Sequence, residues 1–343
     1  VRARALGVGL ASVLALACTS ELAPRAGDAA PGDVGDAGID ATMHDGALDA
    51  STPDAGSDAG RGCPVTLPPT LTFTLAAGAF PGSGHPDVAV HVPPGYDACA
   101  PLGAIVYFHG FYNCVENAIG ATDTACSPGG PVRVAHRLSE QLDAAHVNAL
   151  LIAVEIAYDQ ASGNPGAVGT SGGLRALLDE LFDDHLGAMF GRATHVSDLD
   201  RIVLASHSGG YTAVARGIDR GMLPRLDEVM LFDSLYGEIP TYEGYTVTQL
   251  PRFDPAGDAL RFAMVFTDGG GTDTNSRALG GEIQRGLTTL GHPEWLLFDD
   301  TTATLDAAAF THPLVVKHSA LSHDGVVLYY FQRFVAAAGF APL

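Results

Sequence analysis

Residues Arg201 to Tyr211 read RIVLASHSGGY. The run Ile202-Val203-Leu204-Ala205 is apolar without alternation, which predicts a strand buried on both faces, as in a parallel sheet. From Thr212 to Gly221 the pattern is helical. The chain must therefore reverse within a turn centred on Ser208. Such a turn strains the backbone at its apex and needs small residues two positions to either side, here Ser206 and Gly210. It lifts the Ser208 hydroxyl above the sheet edge at a helix N-terminus, where the Gly209 amide points at negative charge developing beside it. Ser208 is thus a candidate nucleophile. A Ser/Gly turn without chemistry is the competing reading, since five-residue motifs recur by chance.

Working outward, Thr70 to Leu75 and Val88 to Val92 alternate apolar with polar residues, as antiparallel strands at a sheet edge do. Ala104 to Phe108, Ala149 to Val154, Glu228 to Phe232 and Phe262 to Phe266 read as buried strands, and Glu294 to Phe298 as the last one. Helices are predicted over Val132 to Ala145, Leu174 to Phe190 and Val326 to Ala338. Strands alternating with helices at this spacing predict βαβ units and a mostly parallel sheet. An insertion running to about Leu260 carries Tyr236, Tyr242 and Tyr245, which would line a cleft or pack a small cap. The Gly-rich loop Gln160 to Gly173 lacks the spacing of a phosphate loop.

The stretch around Ser208 resembles the nucleophile elbow of the α/β-hydrolase fold, usually G-x-S-x-G, with Ser206 at the first small position. The strand ending in His109-Gly110-Phe111 resembles that family's oxyanion loop. The resemblance implies that Phe111, or Gly110, supplies a second amide beside Gly209, and that His109 holds the loop by hydrogen bonds without transferring protons. It also implies the chain order serine, acid, histidine, because a serine hydroxyl needs a base and the base an orienting carboxylate. Gly270-Gly271-Thr272-Asp273 resembles the G-x-x-D that carries the family's acid, which selects Asp273. Asp268, nearer the strand end, and Asp233, after the preceding strand, are the alternatives. Each could instead cap loop amides. His323 precedes the C-terminal helix where the family places its base, with His318 as competitor and His312 as structural.

The fold implied is α/β, a mostly parallel central sheet flanked by helices with antiparallel N-terminal strands. The activity implied is a serine hydrolase, foremost on small or polymeric carboxylic esters, with peptide or amide cleavage second. The Pro93-Pro94-Gly95-Tyr96 approach to the His-Gly loop resembles secreted esterases and polyester depolymerases. A non-catalytic surface-binding module on the same fold is the reading from another class, because function lives in the site. No cofactor is needed. No metal site is expected either: there is no H-E-x-x-H, the histidines are scattered and no C-x-x-C occurs.

The 343 residues carry a net charge of −21, which argues against nucleic acid or an anionic membrane surface as partner. Residues 1–18 combine Arg2 and Arg4 with an apolar run too short to span a bilayer, as an export signal does. Leu14-Ala15-Leu16-Ala17-Cys18 resembles a bacterial lipobox, with Ala15 where leucine is usual, so Cys18 is a candidate for lipidation. An ordinary cleaved signal is the alternative. Residues 19–62 are rich in Ala, Gly, Asp and Pro and cannot bury enough surface to offset their ordering entropy, as in a disordered tether. Residues 63–343 form the domain. Membrane association is thus expected only through an N-terminal anchor on an exported protein. Cys63, Cys99, Cys114 and Cys126 allow three disulfide connectivities, of which the sequence-adjacent pairing is favoured.

Overall fold

The computed structural model describes residues 67–343 except positions 83, 162, 192, 193, 258 and 270. The signal, the tether, Cys18 and Cys63 lie outside the described residues. Nine strands form one sheet: β1 (Thr70–Phe73), β2 (Val88–His91), β3 (Leu102–Phe108), β4 (Ala149–Val154), β5 (Leu199–His207), β6 (Glu228–Phe232), β7 (Arg261–Thr267), β8 (Leu296–Asp299) and β9 (Leu314–Ser319). Their order is β1-β2-β4-β3-β5-β6-β7-β9-β8. β1 pairs with β2 and β2 with β4 antiparallel, and the other pairings are parallel. This is the α/β-hydrolase fold.

The unalternating strands are apolar on both faces because both faces are covered. Ala104, Val106 and Phe108 of β3 join one core cluster, while Ile105 and Tyr107 join the other. Helices α1 (Val115–Ile119), α2 (Leu138–Ala145), α3 (Gly173–Glu180), α4 (Tyr211–Arg220), α5 (Ile239–Tyr245), α6 (Asp273–Leu290) and α7 (Gly325–Ala337) flank the sheet. α2 and α7 carry Leu138, Leu142, Phe331 and Phe334 into the second cluster; α3 and α6 carry Leu174, Leu177, Ile283 and Leu287 into the first. α3 runs on through a π-helical turn, Leu181–Leu186, to Met189.

Three expectations change. The helix expected from Val132 starts only at Leu138, after Arg137 adopts a left-handed backbone with φ 53°. α6 was not anticipated, although Ser276, Leu279, Gly280, Ile283 and Leu287 form its buried stripe. Finally, the strand near Phe298 is not the last. β9 follows it and inserts between β7 and β8, bringing the chain after Ser319 back beside the centre of the sheet.

Candidate active site

In parallel strands all C-terminal ends meet at one edge, which is where α/β folds bind ligands. The ends of β3, β5, β6 and β9 deliver His109-Gly110-Phe111, Ser208, Asp233 and the loop that carries His323.

Ser208 has φ 53°, the left-handed backbone of the tight strand-to-helix turn, which costs a non-glycine residue about 1–3 kcal/mol. The surroundings enforce it. A Cβ on Gly210 would sit 2.5 Å from the Phe108 carbonyl oxygen, and one on Gly110 2.7 Å from Ser208 Cβ, so neither position admits a side chain. Ser206 is fully buried and lies opposite Phe108 in the β5–β3 register. Ser234 Oγ donates to the Ser208 carbonyl at 2.7 Å. Its proton thus committed, Ser234 accepts from Ser206 Oγ at 2.8 Å. The departure from glycine at position 206 therefore builds a hydroxyl relay that ties β5 and the β6 loop to the turn.

His323 Nδ1 donates to Asp233 Oδ2 at 2.7 Å. Asp233 is fully buried and also accepts the Thr267 hydroxyl at 2.6 Å, the Thr267 amide at 3.2 Å and the Thr272 hydroxyl. Burial alone would raise its pKa. The hydrogen bonds from His323, Thr267 and Thr272 outweigh that and hold it below the usual carboxylate value. The acid facing His323 is thus Asp233 and not Asp273. Asp273 opens α6 with its side chain turned outward, and its Oδ1 accepts from Arg277 Nε at 2.6 Å. The neighbouring Thr272, fully buried, points inward and supports Asp233. Asp268 and His318 also meet each other, Oδ1 to Nε2 at 2.8 Å, while His318 Nδ1 lies 3.1 Å from the Asp300 carbonyl oxygen. Both imidazole nitrogens of His318 are thereby engaged away from Ser208, which leaves His323 as the histidine of the site.

His109 anchors the oxyanion-type loop. Its Nε2 accepts from the Ile156 amide at 3.1 Å and its Nδ1 donates to the Gly110 carbonyl at 2.9 Å. Glu155, 3.4 Å from Nε2, raises the His109 pKa against the opposing and larger single effect of burial. The Tyr112 amide is spent on the Tyr158 carbonyl and the Asn113 amide on Gly110, whereas the Phe111 amide makes no hydrogen bond to a described residue and is available as a donor. The Cys114–Cys126 disulfide closes the following loop. Cys99 is disulfide-bonded as well.

Of the three insertion tyrosines, two are structural: Tyr242 donates to the Tyr211 carbonyl at 2.6 Å and Tyr245 to that of Arg261 at 3.2 Å. Tyr236 lies at the site. Its ring stands 6.5 Å from that of His323, and burial with Asp233 nearby pushes its pKa up to about 12 against the lowering effect of the neighbouring Ser208 hydroxyl. Among the described residues no hydrogen bond joins Ser208 to His323, whose rings and neighbours instead pack closely: His207, preceding Ser208, lies 4.4 Å from His323 between ring centroids. Behind them His207 and His136 are buried, and burial holds the first well below and the second below the usual imidazole value. A surface pocket of about 510 Å³ opens beside the oxyanion-type loop, walled by Phe80, His85, Ile156 and Tyr158.

No protein-family profile matches this chain. No curated protein matches it either. Among solved structures it is similar to a mutant of the feruloyl esterase module from Clostridium thermocellum complexed with sinapinate, at 11% identity over 78% of this chain and 86% of that one, with a TM-score of 0.46. It is also similar to an S-formylglutathione hydrolase from Agrobacterium tumefaciens (11% identity, 78% and 93% covered, TM-score 0.39). A siderophore hydrolase from Aspergillus nidulans shares 12% identity over 81% of this chain and 98% of that one, with a TM-score of 0.41. Identities this low say nothing of substrate.

Proposed function

We propose that this protein is a serine hydrolase that cleaves carboxylic esters through an acyl-enzyme on Ser208. The observation that carries the reading is the 2.7 Å pair of His323 with buried Asp233, set at the same sheet edge as a serine held in a left-handed turn. Asp233 fixes the proton of His323 on Nδ1, so Nε2 is the free base for the Ser208 proton. Ser208 Oγ then bonds to the ester carbonyl carbon. The oxygen that becomes negative is received by the amides of Gly209 and Phe111. His323 returns the proton to the leaving alcohol as its C–O bond breaks, and water repeats the sequence to release the acid. The reaction as written uses only protein groups and water.

Export and lipid anchoring through Cys18 belong to the same proposal, supported by a disulfide of the kind found in oxidising compartments. Among the described residues no helix is long and apolar enough to cross a membrane.

One observation favours a second reading. Among the described residues no hydrogen bond joins the Ser208 hydroxyl to His323, as in a binding module that never turns over, and Tyr236 stands beside both. Catalytic hydrogen bonds are often loose before substrate arrives, so an active-site probe decides. The purified protein is expected to react with a fluorophosphonate, and Ser208→Ala and His323→Ala to lose labelling. Undiminished labelling of folded Ser208→Ala would overturn the serine assignment, and absence of labelling in folded wild type would move the weight to the binding module. Turnover of acyl esters against the matching amides then separates esterase from amidase.

A further inference from the structure

His207, the last residue of β5, immediately precedes Ser208 and takes no part in the hydrolysis as written. It is 2% exposed, and burial with His136 and His323 nearby holds it well below the usual imidazole value, so it is neutral near pH 7. Its Nε2 lies 3.0 Å from the His323 carbonyl oxygen. A carbonyl only accepts, so the single ring proton of His207 sits on Nε2 and is donated there. Nδ1 is left bare, buried and without a partner among the described residues. It lies against the oxyanion-type loop, since a Cβ on Gly110 would stand 3.2 Å from it. Asp324 Oδ1, 3.9 Å from Nε2, is too far to compete for the proton.

An imidazole is a poor way to fill this position. A buried acceptor without a donor destabilises the fold, and an aliphatic side chain of similar volume would leave none. What the imidazole supplies is a donor that reaches, across a sequence separation of 116, to the backbone of the residue that carries the candidate base. Other bonds of the loop after β9 are local: the Leu321 amide donates to Ser319 Oγ at 3.2 Å and the Val326 amide to the Ser322 carbonyl at 3.2 Å. From the sheet, Asp233 receives His323 Nδ1 and His207 donates to the His323 carbonyl. The first bond fixes one atom of the imidazole, about which the ring is still able to swing. The second holds the backbone from which the same side chain springs. The His207 and His323 rings also pack 4.4 Å apart, and His136 meets the His207 ring edge-on at 4.7 Å, with its own Nδ1 2.9 Å from the Tyr107 hydroxyl.

We propose that His207 is a positioning residue for the base: its Nε2–H holds the His323 backbone so that the imidazole keeps its bond to Asp233 and leaves Nε2 free for Ser208. The consequence for turnover rests on the hydrolase reading of the site; the hydrogen bond itself does not. Being neutral, His207 sets no charge against the imidazolium that forms when His323 takes the Ser208 proton. The other titratable groups that face it are His136, which burial keeps below the usual imidazole value, and Asp324, whose carboxyl the neighbouring His136 holds low.

The test compares His207→Gln, His207→Asn and His207→Leu in the full chain. Glutamine carries an N–H as many bonds from the backbone as Nε2 and still reaches the His323 carbonyl; asparagine is one bond too short, and leucine has no donor. In hydrolysis of p-nitrophenyl acetate, kcat is expected to fall about 10–100-fold in the Asn and Leu variants with KM changed by less than about threefold, and to return to within about fivefold of wild type in the Gln variant. His292→Ala, a half-buried histidine elsewhere, should match wild type. Independently of turnover, nitrogen NMR of isotope-labelled histidine is expected to show His207 protonated on Nε2 and bare on Nδ1. The His323 Nδ1 proton should be protected from solvent exchange in wild type and His207→Gln, and exchange at least about tenfold faster in the Asn and Leu variants. Circular dichroism confirms folding, and two loss variants keep the test decisive if one fails to fold. Folded Asn and Leu variants with wild-type kcat, or with the His323 proton protected as in wild type, overturn the proposal. A wild type without turnover counts against the hydrolase reading instead, and the NMR comparison then decides this one alone.

Discussion

Replacing Asp233 with asparagine tests the central pair of the site. Asp233 Oδ1 receives the Thr267 amide, a donor that cannot turn round, and the Thr272 hydroxyl. Asparagine must keep its carbonyl oxygen there, which puts its NH2 group at the Oδ2 position, facing the Thr267 hydroxyl and His323 Nδ1. The hydroxyl can rotate to accept. The imidazole can accept only by moving its proton to Nε2, and then it no longer takes the proton of Ser208. The expected loss is therefore one of tautomer and not of shape, about 10⁴-fold in kcat with KM little changed. At about 1.4 kcal/mol per tenfold, that is about 5.5 kcal/mol of transition-state stabilisation. Asp273→Asn is the companion variant. It breaks a partly exposed helix pair with Arg277, whose side chains are 36% and 33% exposed. Stability there should change by no more than about 0.5 kcal/mol, with turnover unaffected. Steady-state hydrolysis of p-nitrophenyl acetate, with urea unfolding to confirm that each variant is folded, measures both. A folded Asp233→Asn within tenfold of wild type, or a collapse of activity in Asp273→Asn, would refute the assignment of the acid.

The same variant reports on acid stability. The Asp233 pKa is depressed on folding, so its contribution is present above the unfolded carboxylate value of about 3.9 and is lost as pH falls through the folded value. Buried Glu228 and Asp87 are raised and act with the opposite sign, so the informative quantity is the difference in unfolding free energy between wild type and Asp233→Asn, which should shrink as pH drops below 4. Ser234→Ala strands the Ser206 hydroxyl and removes a donor from the Ser208 carbonyl, for a loss of about 1–3 kcal/mol in urea unfolding. Ser206→Ala leaves Ser234 free to donate to Ser208 and should cost about 1 kcal/mol or less. Cys114→Ser with Cys126→Ser opens a short loop of sequence separation 12, which should lower unfolding free energy by about 3 kcal/mol by loop entropy.

Much of the fold was legible because the signals are local. Runs such as Ala149–Val154 and Ile202–Ala205 are apolar at every position, and only a strand covered on both faces uses such a run. The turn at Ser208 was legible for the same reason, since steric limits within five residues already restrict it. β9 was not. Lys317 and His318 interrupt its apolar run, yet Lys317 is fully buried because its Nζ donates to Asp299 at 2.6 Å and to the Thr301 carbonyl at 2.7 Å. That compensation comes from β8 and the turn after it, and no pattern within the strand announces it.

The acid divides the two kinds of information. From the sequence alone came a serine in a strand-to-helix turn, a histidine ahead of the last helix and three aspartates at strand ends, because chain order and hydrophobic period are properties of short segments. Which aspartate meets His323 was decided by tertiary structure. β9 lies against β7, and the loop that follows it crosses back over the end of β6, where Thr267 and Thr272 make a buried carboxylate tolerable. Asp273, five positions beyond Asp268 and one beyond Thr272, faces solvent only because α6 begins there and turns it toward Arg277. Hydrogen-bond partners contributed by strands far apart in sequence settle such a choice.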